Sequence, residues 1–173
     1  MASLRLFLDN LMVGGIATFT TDQLAKSLRL SAVTATHALF RLRKQKLIAS
    51  PLRGFHVILE PADRTRGCRS PNEFIDYLMR HLHEPYYVGL LSAAEIHGAA
   101  HHRPQVYQVM VRKERRPVEC GSVRIQFIRK ANLSKMPMLK RNVRTGYILV
   151  SAPEPTALDL VAYDNQACGL AGS

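Results

Sequence analysis

The apolar positions of residues 20–59, TTDQLAKSLRLSAVTATHALFRLRKQKLIASPLRGFHVIL, run at a helical period and then switch to a strand period. Leu24, Ala25 and Leu28 recur at helical spacing and give a narrow apolar face. Thr21 is the expected N-cap of this helix, with Asp22 in its first turn. Arg29 and Leu30 make a turn, and Ser31 caps a second helix. There Ala35, Ala38, Leu39 and Leu42 share one face, and the two alanines permit close packing on the first helix. The opposite face carries Val33, Thr34, Thr36, His37, Arg41 and Lys44. Leu47 and Ile48 end the helix on an apolar step, residues 50–54 break regular structure, and Phe55, Val57 and Leu59 alternate as a strand. Two helices around a tight turn, then a hairpin with a basic tip, are the sequence form of a winged helix-turn-helix. The preceding MASLRLFLDNLMVGG reads as the first helix of this unit, ended by Gly14 and Gly15; it carries an acid and lacks a processing-site pattern.

That fold predicts a chemistry. A helix-turn-helix lays the N-terminal part of its second helix along base edges in the major groove. Ser31, Val33, Thr34, Thr36 and His37 fall there: the hydroxyls donate or accept, and Val or Thr methyls touch thymine. Arg41, Arg43, Lys44 and Lys46 are expected to meet phosphates, and Arg53, beside Gly54 at the wing tip, to reach backbone or minor groove. The competing reading is a small helical subdomain with a solvated basic face, in which His37 is only solvated.

Residues 60–71, EPADRTRGCRSP, have no apolar period and are rich in Pro, Gly and charge, which predicts a linker over 61–71 between domains 1–60 and 72–173. Beyond it the pattern mixes periods. Residues 72–83 are amphipathic through Phe74, Ile75, Leu78, Met79 and Leu82, and residues 87–98 read as a mostly apolar helix with a glycine at its end. Residues 105–112, 122–128 and 146–151 read as strands; in the first, Val106, Gln108 and Met110 oppose Tyr107, Val109 and Val111. Residues 155–163 form a helix with a proline in its first turn. The expected class is α+β: an N-terminal winged helix-turn-helix followed by a small α/β domain.

Charge supports a polyanionic partner. The chain holds 24 Lys and Arg against 13 Asp and Glu, a net +11. Residues 1–60 contain eight basic and three acidic side chains and the remainder 16 and 10, so the positive field covers both parts. A membrane surface is the competing polyanion, but no apolar run is long enough to span a bilayer, and no membrane partner is expected. Cys68, Cys120 and Cys168 are far apart and odd in number, which fits a reducing cytoplasm and no disulfide framework.

The segments YYVGLLSAAEIHGAAHHRPQ, RIQFIRK and TGYILVSAPEPTALDLV resemble the second domain of the AbiEi-type antitoxins, transcriptional regulators of type IV toxin–antitoxin systems. The resemblance extends from Ser3 to Tyr163; LLSAAEIHGAAH and PEPTALDLV are its most specific parts, and the helix-turn-helix part is generic. It implies a repressor that binds its own operon as double-stranded DNA and that neutralises a nucleotidyltransferase-like toxin encoded beside it; because one small unit contacts few base pairs, two copies on operator repeats are expected. It also implies that operator binding and neutralisation divide between the two domains. The family usually continues with more helical sequence after ALDLV, so a C-terminal portion is expected to be absent here.

Other chemistry is thin. His97, His101 and His102 gather near Glu95, but a metal site needs converging ligands, and a satisfied or solvent-facing histidine cluster is the expectation. Cys68, near Arg66 and Arg69, is either a thiol of lowered pKa or an inert linker cysteine. Glu154 and Asp159 do not make a catalytic pair, and there is no phosphate-cradling glycine loop or serine elbow. No cofactor is expected. Three classes remain: a DNA-binding regulator with an antitoxin domain, a nuclease-like nucleic-acid enzyme, and a basic protein-interaction module. The first needs no catalytic residues in the second domain.

Overall fold

A computed structural model of the chain describes residues 2–100 and 104–164. The first part runs α1 (Ala2–Val13), β1 (Thr18–Thr20), α2 (Thr21–Leu28), α3 (Ala32–Lys44), β2 (Ile48–Leu52) and β3 (Phe55–Ile58). Its three strands form an antiparallel sheet in the order β1-β3-β2, with a register shift in β2 between Ala49 and Leu52. Leu4 and Leu8 of α1, Phe19, Leu24 of α2, Ala38, Leu39 and Leu42 of α3, and Ile48 and Ile58 of the sheet bury one another. The cap of α2 is Thr20 rather than Thr21. Its hydroxyl accepts from Gln23 N at 3.1 Å, and Gln23 Oε1 accepts from Thr20 N at 2.8 Å. The Thr–Gln spacing closes a capping box only from position 20, which releases Thr21 to bond elsewhere. Arg29 turns the chain in the left-handed region at φ 51°, and Ser31 caps α3.

The second part runs α4 (Ile75–His81), β4 (Tyr86–Val88), α5 (Leu90–Ile96), β5 (Tyr107–Val111), β6 (Val118–Cys120), β7 (Val123–Arg129), β8 (Met138–Val143), β9 (Gly146–Ser151) and α6 (Pro153–Ala162). Six strands make one mixed sheet in the order β6-β7-β5-β4-β9-β8, with β5∥β7 and β4∥β9 parallel. Both faces are covered, so strand alternation separates two cores. Val88, Val109, Val111, Ile125, Phe127, Ile148 and Val150 pack with α4 on one face. Tyr87, Met110 and Ile128 pack with Leu90, Leu133 and Leu160 of α6 on the other.

Three strands here escaped the hydrophobic pattern. The helix expected over residues 87–98 starts at Leu90, because Tyr86, Tyr87 and Val88 form a strand between β5 and β9. β6 is only three residues long, and β8 is an edge strand whose central residues are all exposed, so neither shows alternation.

Residues 61–71, expected as a linker, are packed. Two short 3-10 turns, Pro61–Asp63 and Pro71–Glu73, flank buried Cys68 and Arg69. Arg69, 2% exposed, donates to Ile58 O at 3.1 Å and pairs with Glu60 and Glu73. Arg144, in the β8–β9 turn, reaches the same two carboxylates at 3.0 Å each. The stretch has no apolar period because much of what it buries is polar. Ala49, Phe55, Val57 and Leu59 from the first part lie in the same cluster as Ile75, Leu78, Val109 and Val123, so the two parts share a core.

Candidate nucleic-acid interface

α3 presents its buried seam, Ala35, Ala38, Leu39 and Leu42, to α2 and the sheet. Every other residue of the helix is exposed, and Ser31, Val33, Thr34, Thr36, His37, Arg41, Arg43, Lys44, Lys46 and Arg53 all lie on the solvent side. From Gln23 to Leu59 the chain contains no Asp or Glu, so these cations have no local carboxylate to pair with along the sequence. Arg41, Arg43 and Lys44 occupy the last turn, where the helix dipole also favours positive charge. A groove of about 590 Å³ separates α3 from the β2–β3 hairpin, with Thr36 and Arg43 on one wall, Arg53 and Gly54 on the other, and His56 at its base.

The hydroxyls on α3 are partly committed. Ser31 Oγ accepts from Thr34 N at 3.2 Å and lies 2.8 Å from Thr34 Oγ1. Thr36 donates back to Ala32 O at 2.9 Å, a bond that a threonine in a helix makes at the expense of outside partners. Two residues of this surface were absent from the expected set. Phe40 is an exposed aromatic on α3, one heptad after Val33; that spacing was its only sequence signal. His56 is buried between Thr21 Oγ1 at 2.9 Å and Ser50 Oγ at 2.8 Å. Burial, then the charge of Arg43 and of His81, lowers its pKa to about 4, so the imidazole is neutral and fixes the hairpin against α2.

The basic residues of the second part are less available than their number implies. Arg115 pairs with Glu84 at 3.2 Å, Arg124 with Glu119 at 3.6 Å, and Lys130 with Asp159, while Arg144 belongs to the cluster around Glu60 and Glu73. Burial pushes the Glu84 carboxyl up, but the Lys113 N–H, the Arg115 guanidinium and the Arg112 N–H outweigh it and hold it below the ordinary value. Asp159 also accepts from Tyr87 Oη at 2.9 Å, so this carboxylate joins α6 to β4 and to the end of β7. The two most characteristic segments of the second part are α5 and α6, which pack against each other.

His97 Nε2 donates to Ser151 O at 2.7 Å, and His97 Nδ1 accepts from Arg141 at 3.4 Å, an arrangement that leaves neither ring nitrogen directed at a metal. His101 and His102 lie outside the described residues, among which no three His, Cys, Asp or Glu side chains converge. Cys68 and Cys120, distant in sequence, meet in the fold as free buried thiols. The hydrogen bond to Cys120 and burial push the Cys68 thiol up, which excludes the reading of an acidic, reactive cysteine. No described helix is long and apolar enough to cross a membrane.

No curated protein matches the chain. The family model of the AbiEi antitoxin C-terminal domain matches residues 87–172, a region that opens inside β4 and takes in both α5 and α6. Through those residues the chain belongs to the AbiEi antitoxin family, and its setting is a toxin–antitoxin system.

Proposed function

We propose that this antitoxin is also a DNA-binding transcriptional regulator, whose first part acts as a winged helix-turn-helix and represses its own toxin–antitoxin operon. The observation that carries the reading is the outward face of α3: cations without local acids, beside a hairpin that ends in Arg53 and Gly54. Arg41, Arg43, Lys44, Lys46 and Arg53 hold phosphates. Ser31, Val33, Thr34, Thr36 and His37 meet base edges, and substitutions at Thr34, Thr36 or His37 change sequence preference. One such unit reaches few base pairs. Two copies on repeated half-sites, spaced by about 10–10.5 base pairs, raise occupancy.

The second part acts by contact rather than catalysis. Its buried carboxylates support this, since Asp76, Glu84 and Asp159 are each engaged with an arginine, lysine or tyrosine. Its target is a nucleotidyltransferase-like toxin encoded beside it, acting with this protein inside the cytoplasm. The test is a gel-shift salt series on the upstream operon DNA with the full chain. Replacing Arg41, Lys44 and Arg53 together by Ala should lower the salt slope by about three units, close to one for each phosphate no longer neutralised. Unchanged affinity and slope in that variant would overturn the assignment.

A further inference from the structure

The centre of the outward face of α3 is apolar. Val33 is 67% exposed and Phe40 59%. They are seven residues apart, so on a straight helix they differ by only about 20° in direction. That direction is opposite the buried seam of Ala35, Ala38, Leu39 and Leu42; His37 and Lys44 border it on one side and Thr36 and Arg43 on the other. Single exposed hydrophobics are ordinary, but two aligned on the most projecting line of one helix form a stripe.

The surroundings define what can cover this stripe. Arg41, Arg43 and Lys44 lie beside it with no acid between Gln23 and Leu59, so the partner brings negative charge. The hydroxyls of Ser31, Thr34 and Thr36 are partly committed to the helix cap and to Ala32 O, which gives apolar contact a larger share in base discrimination beside them. A polyanion that also offers methyl groups in a groove wide enough for a helix is duplex DNA, through the thymine 5-methyl. Duplex RNA fails on both counts, because uracil lacks the methyl and the A-form major groove is too narrow.

We infer that Val33 and Phe40 are specificity-determining residues that read two thymine methyl groups in the major groove. This rests on the DNA-binding reading above. Seven residues of helix rise by about 10.5 Å. At about 3.4 Å of axial rise per base pair, and with the groove inclined to the duplex axis, the two methyls lie about two steps apart and at most about three.

The experiment selects sites from a random duplex pool with the full-length protein, then replaces each thymine of the selected site by deoxyuridine, which removes only the methyl. The expected result is two sensitive positions about two, and at most about three, steps apart. Each substitution weakens binding by about fourfold, as expected for burying one methyl-sized group. Val33→Ala should abolish sensitivity at one position and Phe40→Ala at the other, with the salt slope unchanged. Tight duplex binding that deoxyuridine leaves intact at every position would overturn the inference and leave the DNA-binding reading standing. Failure to retain any duplex would overturn both. Because the deoxyuridine arm uses the unaltered protein, it does not depend on how either variant folds.

Discussion

His56 is neutral where an exposed imidazole would share a proton. It is 4% exposed, and its two ring nitrogens are taken by Thr21 and Ser50. The unfolded chain takes up this proton near 6.5, whereas the fold resists it to about 4. Between those values the unfolded state binds more protons, so stability is full above the window and falls as pH drops through it. Glu60 acts in the same sense lower down. Burial raises its carboxyl, but Arg144 and Arg69 hold it below the ordinary value, and that contribution disappears as it protonates. The melting temperature should therefore decline from about pH 7 to about pH 5. His56→Gln keeps one hydrogen bond, should be about 1 kcal/mol less stable at neutral pH, and should decline less with acid. An equal decline in both proteins would assign the acid sensitivity elsewhere.

At the scale of elements, the described glycine with least room for a Cβ is at the crossing of the β6–β7 turn over the 63–68 loop. Gly121 stands at φ +57°, and a Cβ there would lie 2.2 Å from Arg66 O and 2.6 Å from Gly67 C. Both are backbone atoms, so no side chain can swing aside. Ser122 N donates to Arg66 O at 2.9 Å, which holds the crossing closed beside Cys68 and Cys120. Gly121→Ala should cost at least about 2 kcal/mol, from the left-handed backbone and the overlap together. Gly15 is the control: its φ is +73°, but nothing lies within 4 Å of an added Cβ. Gly15→Ala should lose only the backbone part, about 1 kcal/mol. Urea midpoints of the two variants check the difference; equal losses would mean that the crossing can relax.

At the scale of the whole molecule, the two parts are bound by a shared core and an ionic clasp. Ala49, Phe55, Val57 and Leu59 bury against the second part, and Arg69 and Arg144 tie Glu60 to Glu73. A fragment ending at Glu60 would bare those apolar faces and lose both arginines. Residues 1–60 expressed alone should melt without a sharp transition and bind a hydrophobic dye. A cooperative melt with native helix content would refute this. The same packing means that the proposed operator binding and the antitoxin role are better tested separately by surface substitutions than by cutting the chain.

Helices α2 and α3 were legible from the sequence, whereas β1 and β2 were not: residues 50–54 read as a break, yet Ile48–Leu52 is a strand. Helical spacing, the Ser31 cap and the Arg29–Leu30 turn are short-range signals, set by backbone sterics and the burial of one face; the alternation of Phe55 and Val57 marked β3, although all four of its residues are buried. The two segments that became α5 and α6 were legible too, although only α5 is largely buried and α6 leaves Leu158 and Val161 exposed. What only the tertiary structure decided lies in contacts across long sequence separations. β4 exists through partners supplied by β5 and the distant β9, and a three-residue strand such as β6 or a mostly exposed one such as β8 leaves no period to read. The loop at 61–71 looked like a tether because its buried groups are charged, and Arg69 can be buried only with Glu60, Glu73 and Ile58 O already in place. The meeting of Cys68 with Cys120, the neutral state of His56 and the pairing of Lys130 with Asp159 follow from the same cause. Periodicity reports which face of an element is apolar, whereas the partner that face or charge finds is set by the packing of the whole chain.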